Sequence, residues 1–248
     1  MEHTDIIDII LPVHNHLDLT ARCIEALYKN TITPFRLTVV DDVSEDLTSE
    51  YIKSLPYDIQ YVRQPEKVLK GNQNIRLGLE NTTSEIVGFL ANSTVVEPGW
   101  DNYGMQLILN NPKCGVVGFK LLYANGTIEH AGMTFNSDML PLNYGMHEAG
   151  HRQTYIREVD AVGFALILFR RSAIIECMDD EMYTGFGFED CDISLTMREK
   201  GWGVTYCGFG SAYHTAMATR EDKELSSSYW ENFEIFKNKW KDKRNDIA

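Results

Sequence analysis

The stretch Thr184-Gly-Phe-Gly-Phe-Glu-Asp-Cys-Asp192 sets three carboxylates, Glu189, Asp190 and Asp192, within four positions behind two glycines, and runs on to Gly201. Gly185 and Gly187 let the backbone turn tightly or approach a ligand closely. The spacing predicts that the acids enter the first turn of a helix, where the positive end of the peptide dipole favours their ionised form. An ionised, correctly aimed carboxylate is what a general base must be. The same pattern also makes a well-capped surface helix, so the segment in isolation supports both readings.

Two other groupings have the residue types for metal chemistry. His147-Glu-Ala-Gly-His151 matches the HExxH pattern, which needs both histidines on one face of a stable helix. Pro141, Asn143, Gly145 and Gly150 oppose a helix there, so zinc hydrolysis through His147, Glu148 and His151 is a remote alternative. In His14-Asn-His16 the two imidazoles would diverge on a helix and suit a ligand-edge loop better. No Ser/His/Asp or Cys/His triad has supporting context.

The elements that must position these residues belong to a chain of 248 residues, one large domain or two small ones, with apolar content enough for a core. A formal net charge of −13 argues against a nucleic-acid partner, because a phosphate backbone needs a basic face. A nucleotide ligand needs only local donors or a metal and stays allowed. Five scattered cysteines without a CxxC pair fit free thiols in a reducing compartment. The start of the chain is acidic where a signal peptide would be basic, and the longest apolar run, 161–169, is too short to span a bilayer. The expectation is a cytoplasmic protein with no transmembrane segment.

Apolar runs alternate with helical patterns in the first half. Strands are expected at 5–11, 35–41, 59–63 and 85–90, and helices at 18–29, 47–55 and 71–80. This alternation implies a mainly parallel sheet with right-handed crossovers, which binds ligands beyond the carboxyl ends of its strands. The second half reads as a strand at 114–122, a hairpin turn at Asn125-Gly126, a return at 127–135 and a long loop at 136–158. A buried strand at 159–169 follows, then a helix at 171–177, the acidic helix and a short strand at 203–207. An amphipathic helix at 226–242 ends the chain, with Trp230, Phe233, Phe236 and Trp240 mostly on one side.

Several motifs coincide in order along this frame: Leu11-Pro-Val-His-Asn15, Val39-Val-Asp-Asp-Val-Ser-Glu-Asp46, Gly71-Asn-Gln-Asn-Ile-Arg-Leu-Gly78 and Asn92-Ser-Thr-Val-Val-Glu-Pro-Gly-Trp100. Downstream come Asn125-Gly-Thr-Ile-Glu-His-Ala-Gly132, Val159-Asp-Ala-Val-Gly163, the Phe-Glu-Asp segment and His214. In order and spacing the chain resembles the family 2 glycosyltransferases of the GT-A fold, particularly their rhamnosyltransferase-like branch, from about Ile6 to His214. The resemblance implies an α/β fold, Rossmann-like, with a mixed, mainly parallel sheet flanked by helices and a C-terminal amphipathic helix. It divides one GT-A domain into a nucleotide-binding half (1–100), an acceptor-binding half (101–215) and a helical tail (216–248).

What the resemblance implies for function is transfer of a sugar from a nucleotide-sugar donor to a carbohydrate hydroxyl, with inversion, of the kind used in polysaccharide biosynthesis. Pro12, His14, Asn15, Asp41, Asp42, Asn74, Asn92, Ser93 and Thr94 would bind the donor. Asp190 would be the general base, with Glu189 orienting the acceptor. Asp160, Gly163, Gly187 and Asp192 would line the acceptor site, and His130 would reach the donor sugar or pack the hairpin. The family also implies a divalent cation, Mn²⁺ or Mg²⁺, held by an Asp-containing motif and, at His214, a further ligand. This chain departs from that pattern: Ser93 stands at the metal-motif position and no carboxylate remains at 92–94. Hydroxyl and amide oxygens are weaker ligands for a hard cation. Either His214 and backbone oxygens hold the metal, or cations such as Lys70 or Arg76 replace it. The alternative class is a non-catalytic module that keeps the fold and binds a nucleotide or glycan.

Overall fold

The computed structural model describes residues 6–68, 71–179, 183, 187–215 and 223–243. Gly185 and Lys70 lie outside them. Four parallel strands carry the first half: β1 (Ile7–Val13), β2 (Phe35–Asp41), β3 (Ile59–Arg63) and β4 (Ile86–Leu90), with α1 (Leu17–Asn30), α2 (Thr48–Ser54) and α3 (Gly71–Glu80) as crossovers. β1 is buried at every position except Pro12, as its central place between β2 and β4 demands.

The chain then adds β5 (Thr94–Val96), α4 (Asn102–Asn110), β6 (Cys114–Leu122), β7 (Ile128–His130), β8 (Met133–Phe135), β9 (Pro141–Asn143), β10 (Ile156–Glu158), β11 (Leu166–Arg170), α5 (Arg171–Cys177), α6 (Glu189–Glu199), β12 (Gly203–His214) and α7 (Lys223–Trp240). The main sheet runs β10-β12-β6-β11-β4-β1-β2-β3, with β5 on β12 and β7 on β6. β11 is antiparallel to both β4 and β6, while β12 runs parallel to β6, so the sheet is mixed and mainly parallel as expected.

Several expectations change. The apolar run 159–169 is a strand only from Leu166; before that its amides turn to other partners, Val159 to Val204 O, Ala161 to Met133 O and Gly163 to His130. The loop 136–158 contains β9, which pairs with β8, and β10, which edges the main sheet. The return at 127–135 splits, β7 staying on β6 and β8 leaving with β9. β12 is far longer than 203–207, because a bulge between Cys207 and Ser211 lets it continue alongside β6 and on to β5. On α7, Phe233, Phe236 and Trp240 are buried, whereas Trp230 is 61% exposed and faces outward. All five cysteines are free and buried. Among the described residues no helix is long and apolar enough to cross a membrane.

Candidate active site

At the carboxyl ends of β1 and β2 two loops are laced together. His14 Nδ1–H donates to Asp42 O (2.7 Å), Asn15 N to Ser44 Oγ (2.9 Å), and Glu45 N to Asn15 Oδ1 (2.7 Å). Asn15 and His16 hold positive φ angles of 54° and 57°, which these bonds over-determine. Asp41 is 0% exposed. One of its oxygens takes Ser44 N–H (2.7 Å), and the other takes the Tyr61 hydroxyl and the Arg63 guanidinium. Burial pushes its carboxyl up, but the Ser44 and Tyr61 hydrogen bonds and the Arg63 charge outweigh that and leave it below the usual range. Asp41 therefore braces the edge and does not present a free carboxylate to a base or ribose. Asp42 is also buried, accepting Val68 N–H (2.7 Å), and Asn74 accepts from Gln64 (2.9 Å).

The corner after β4 is built from residues 92–94. Asn92 donates to Thr20 Oγ1 (3.1 Å), and Thr94 donates its hydroxyl to Ala165 O (3.2 Å). Thr94 lies directly opposite His214 in the β5–β12 pair, so their side chains share one face of the sheet, and Thr215 N bonds Ser93 O (3.0 Å). His214 Nδ1 meets Glu129 on β7 at 3.0 Å. Nothing in the sequence reading had singled out Glu129; its signal was only its place beside His130 in the turn motif.

This donor set does not fit a cation anchored by carboxylates. Ser93 offers a hydroxyl, the Thr94 hydroxyl is spent on Ala165, and Glu129 faces the His214 ring. Among the described residues no group of three or more His, Cys, Asp or Glu side chains is arranged to hold a metal. Arg76, one candidate for replacing a cation, lines a cavity of about 440 Å³ with Glu176, Asp179 and Lys200. The HExxH alternative falls as well: 147–151 forms turns with no helix, His147 stacks on Tyr123 and Glu148 accepts from Gln153 (2.9 Å).

In the second half, α6 begins at Glu189 behind Phe188, which holds φ 72°. Asp190 accepts Cys191 N–H (2.8 Å). Burial raises its pKa. Glu189 accepts Gly187 N–H, and burial together with the Asp190 charge pushes it up to about 7. Gly187, at φ 118°, is backed so closely by Tyr229 that a Cβ would lie 2.9 Å from the ring.

The segment 160–165 connects the two sides. Val162 N donates to Ser194 Oγ on α6 (3.4 Å), and Ala165 O takes both Thr94 Oγ1 (3.2 Å) and Ala91 N (3.0 Å). Gly163 N and Gly132 N both donate to His130 Nε2 (3.1 and 3.2 Å). His130 is buried and locked with its hydrogen on Nδ1 toward Asn143, and burial drives its pKa down to about 4. It is a brace for this segment, which leaves the hairpin-packing role and removes the reach to a sugar. Asp160 accepts Thr134 Oγ1 (2.6 Å) and remains partly exposed. Asp192 departs from its expected acceptor role. It is 1% exposed, and both oxygens are engaged by α7, Oδ1 by Trp240 Nε1 (2.6 Å) and Oδ2 by Lys239 Nζ (2.9 Å).

Residues 8–177, more than half of the chain, match the model of glycosyl transferase family 2. An uncharacterized protein of Sinorhizobium fredii (strain NBRC 101917 / NGR234), y4gI, is 26% identical over 97% of this chain, which spans 28% of that protein's length. Among solved structures, GalNAc-T7 with UDP, GalNAc and Mn²⁺ superposes with a TM-score of 0.70 at 15% identity, over 86% of this chain and 44% of that one. TarS 1–349 of S. aureus in complex with UDP-GlcNAc gives 0.65 at 15% identity, over 92% and 64%. The mannosyltransferase PcManGT of Pyrobaculum calidifontis with GDP-Man and Mn²⁺ gives 0.61 at 14% identity, over 88% and 58%. The chain thus spans less than two thirds of each of these proteins.

Proposed function

Because this chain belongs to glycosyl transferase family 2, we propose that it moves a sugar from a nucleotide-sugar donor to a hydroxyl of a carbohydrate acceptor, with inversion at the anomeric carbon. The observation that carries this reading is the segment 160–165, which bonds α6, the helix that carries Asp190, through Val162 N to Ser194 Oγ and the donor corner through Ala165 O to Thr94. Positioning of this kind supplies a large part of the barrier lowering in a displacement between two bound substrates.

The acceptor oxygen attacks the anomeric carbon as Asp190 takes its proton, and the bond from that carbon to the nucleoside diphosphate breaks on the opposite face. Burial raises the basicity of Asp190, which suits a group that must accept a proton near neutrality. Glu189 orients the acceptor, and Asp160 and Gly163 border it. His14 and Asn15 frame the nucleotide edge with Pro12, while Asp41 and Asp42 hold that edge in shape. His214 has its hydrogen on Nδ1 toward Glu129, so Nε2 is an acceptor for a hydroxyl of the donor. No step is assigned to a metal, in keeping with Ser93. In this reading residues 1–100 supply most of the donor side, 101–215 the acceptor side together with His214 and Glu129, and 216–248 the tail.

The test is a panel of UDP-, GDP-, dTDP- and CMP-sugars, followed for donor hydrolysis or transfer with Mn²⁺, with Mg²⁺ and with EDTA. Turnover that disappears in Asp190→Asn supports the transferase. Nucleotide binding without turnover from any donor would establish instead the binding module that the missing carboxylate at Ser93 favours.

A further inference from the structure

We infer that α7 is a clamp that sets the Asp190 carboxylate, with Asp192, Trp240 and Lys239 as positioning residues; this rests on the reading of Asp190 as the base. Asp192 sits two residues beyond Asp190, in the same first turn of α6. A buried carboxylate is costly unless its lone pairs are filled. Among the described residues two donors at the far end of the chain fill them: Trp240 Nε1–H at 2.6 Å and the Lys239 ammonium at 2.9 Å. Both bonds are charge-assisted, the stronger class of hydrogen bond.

Further contacts pin the residues just before the base. Asn232 Nδ2 donates to Gly187 O (3.2 Å), and Phe188 packs against Tyr229, Phe233 and Phe236 at ring separations of 4.9, 5.4 and 5.3 Å. Phe188 keeps φ 72°, a conformation that a non-glycine residue holds only where its surroundings enforce it. Its carbonyl then receives Asp192 N–H (2.8 Å), so the left-handed turn, the buried Asp192 and α7 form one closed unit with Asp190 inside it. If α7 loosens, the first turn of α6 is free to tilt, and Asp190 moves with it.

The experiment uses the full chain with Trp240→Phe, which keeps the aromatic packing but removes the N–H, and with Lys239→Met, whose partly exposed side chain makes it the milder change. Three readouts are taken: amide hydrogen exchange at 187–192, calorimetric affinity for UDP and GDP, and steady-state kinetics with whichever panel donor is turned over. The expected result is a roughly 10-fold faster exchange confined to 187–192 and a roughly 10-fold lower kcat, with donor KM and nucleotide affinity within about 2-fold of wild type. Lys239→Arg should restore both. Unchanged exchange at 187–192 in both variants overturns the clamp, as does exchange that accelerates equally across β1 to β4 while nucleotide affinity falls. If Asp190→Asn keeps wild-type turnover, the base assignment fails, yet the exchange measurement still decides whether the clamp exists.

Discussion

His214 Nδ1 lies 3.0 Å from Glu129 Oε2 although 85 residues separate them in the chain. The carboxylate fixes one tautomer and one ring orientation, on the sheet face that His214 shares with Thr94. His214→Ala and Glu129→Ala should each weaken nucleotide-sugar affinity by about 3- to 10-fold, and the double variant should be no worse than the poorer single, since the pair acts as a unit. Additive losses in calorimetry would mean that Glu129 and His214 act separately.

Asp190→Asn keeps the size and most hydrogen bonds of the side chain and removes its basicity. A fall in kcat of about 10²- to 10⁴-fold with an unchanged melting temperature is expected, the usual worth of a general base. A fall in melting temperature matching the loss of activity would point to a structural Asp190.

Glu189 has a folded-state pKa of about 7 against an ordinary 4.5, so the folded chain holds its proton more tightly than the unfolded chain between those values. Its contribution to stability is therefore greatest below pH 4.5 and is lost as pH rises through 7. Relative to wild type, Glu189→Gln should become more stable with rising pH, by up to roughly 3 kcal/mol at pH 8. Denaturant unfolding at pH 5 and pH 8 measures the difference, and an unchanged gap between the two proteins would refute it.

His130 works in the opposite sense. Its folded-state pKa near 4 lies below the ordinary 6.5 because burial penalises the charged ring, whose Nε2 accepts two amides. Stability held above pH 6.5 should thus fall by up to roughly 3 kcal/mol as pH drops to 4. His130→Gln, which keeps an acceptor without titrating, should flatten that acid limb of the stability curve. Equal acid sensitivity in both proteins would show that other groups set it.

At the donor corner the missing carboxylate can be put back. Wild-type nucleotide affinity should change less than about 3-fold between Mn²⁺ and EDTA, and Ser93→Asp should raise Mn²⁺ affinity by about 10-fold or more. Calorimetry with Mn²⁺ and UDP or GDP reads both, and tight stoichiometric Mn²⁺ binding by the wild type would contradict the first.

Local signals were legible wherever a short segment carries its own pattern. Phe35–Asp41, Ile59–Arg63, Gly71–Glu80 and Arg171–Cys177 fall where apolar runs and helical spacing put them, and α6 starts at the acidic cluster. The order of these elements was enough for the sheet, and the order and spacing of the short motifs carried the resemblance to the family. α4 escaped notice because Gly104 lowers helix propensity, and only the folded protein shows its use: a Cβ there would lie 2.3 Å from the Phe119 ring. Val159–Ala165 read as strand because it is apolar, yet its amides are claimed by His130, Met133 and Ser194 from distant parts of the chain.

The sequence by itself thus determined β1 to β4 with α1 to α3, the loops at the ends of β1 and β2, and the three-carboxylate cluster, since each follows from residue type and spacing within a few positions. Only the tertiary structure decided how each carboxylate is held. Asp192 is drawn away by Trp240, 48 residues downstream, Asp41 is closed in by Tyr61 and Arg63, and Glu129 is brought to His214 by β7 and β12 lying on the same sheet. A carboxylate's role depends on its partners and its burial, and both are set by contacts that local periodicity does not encode.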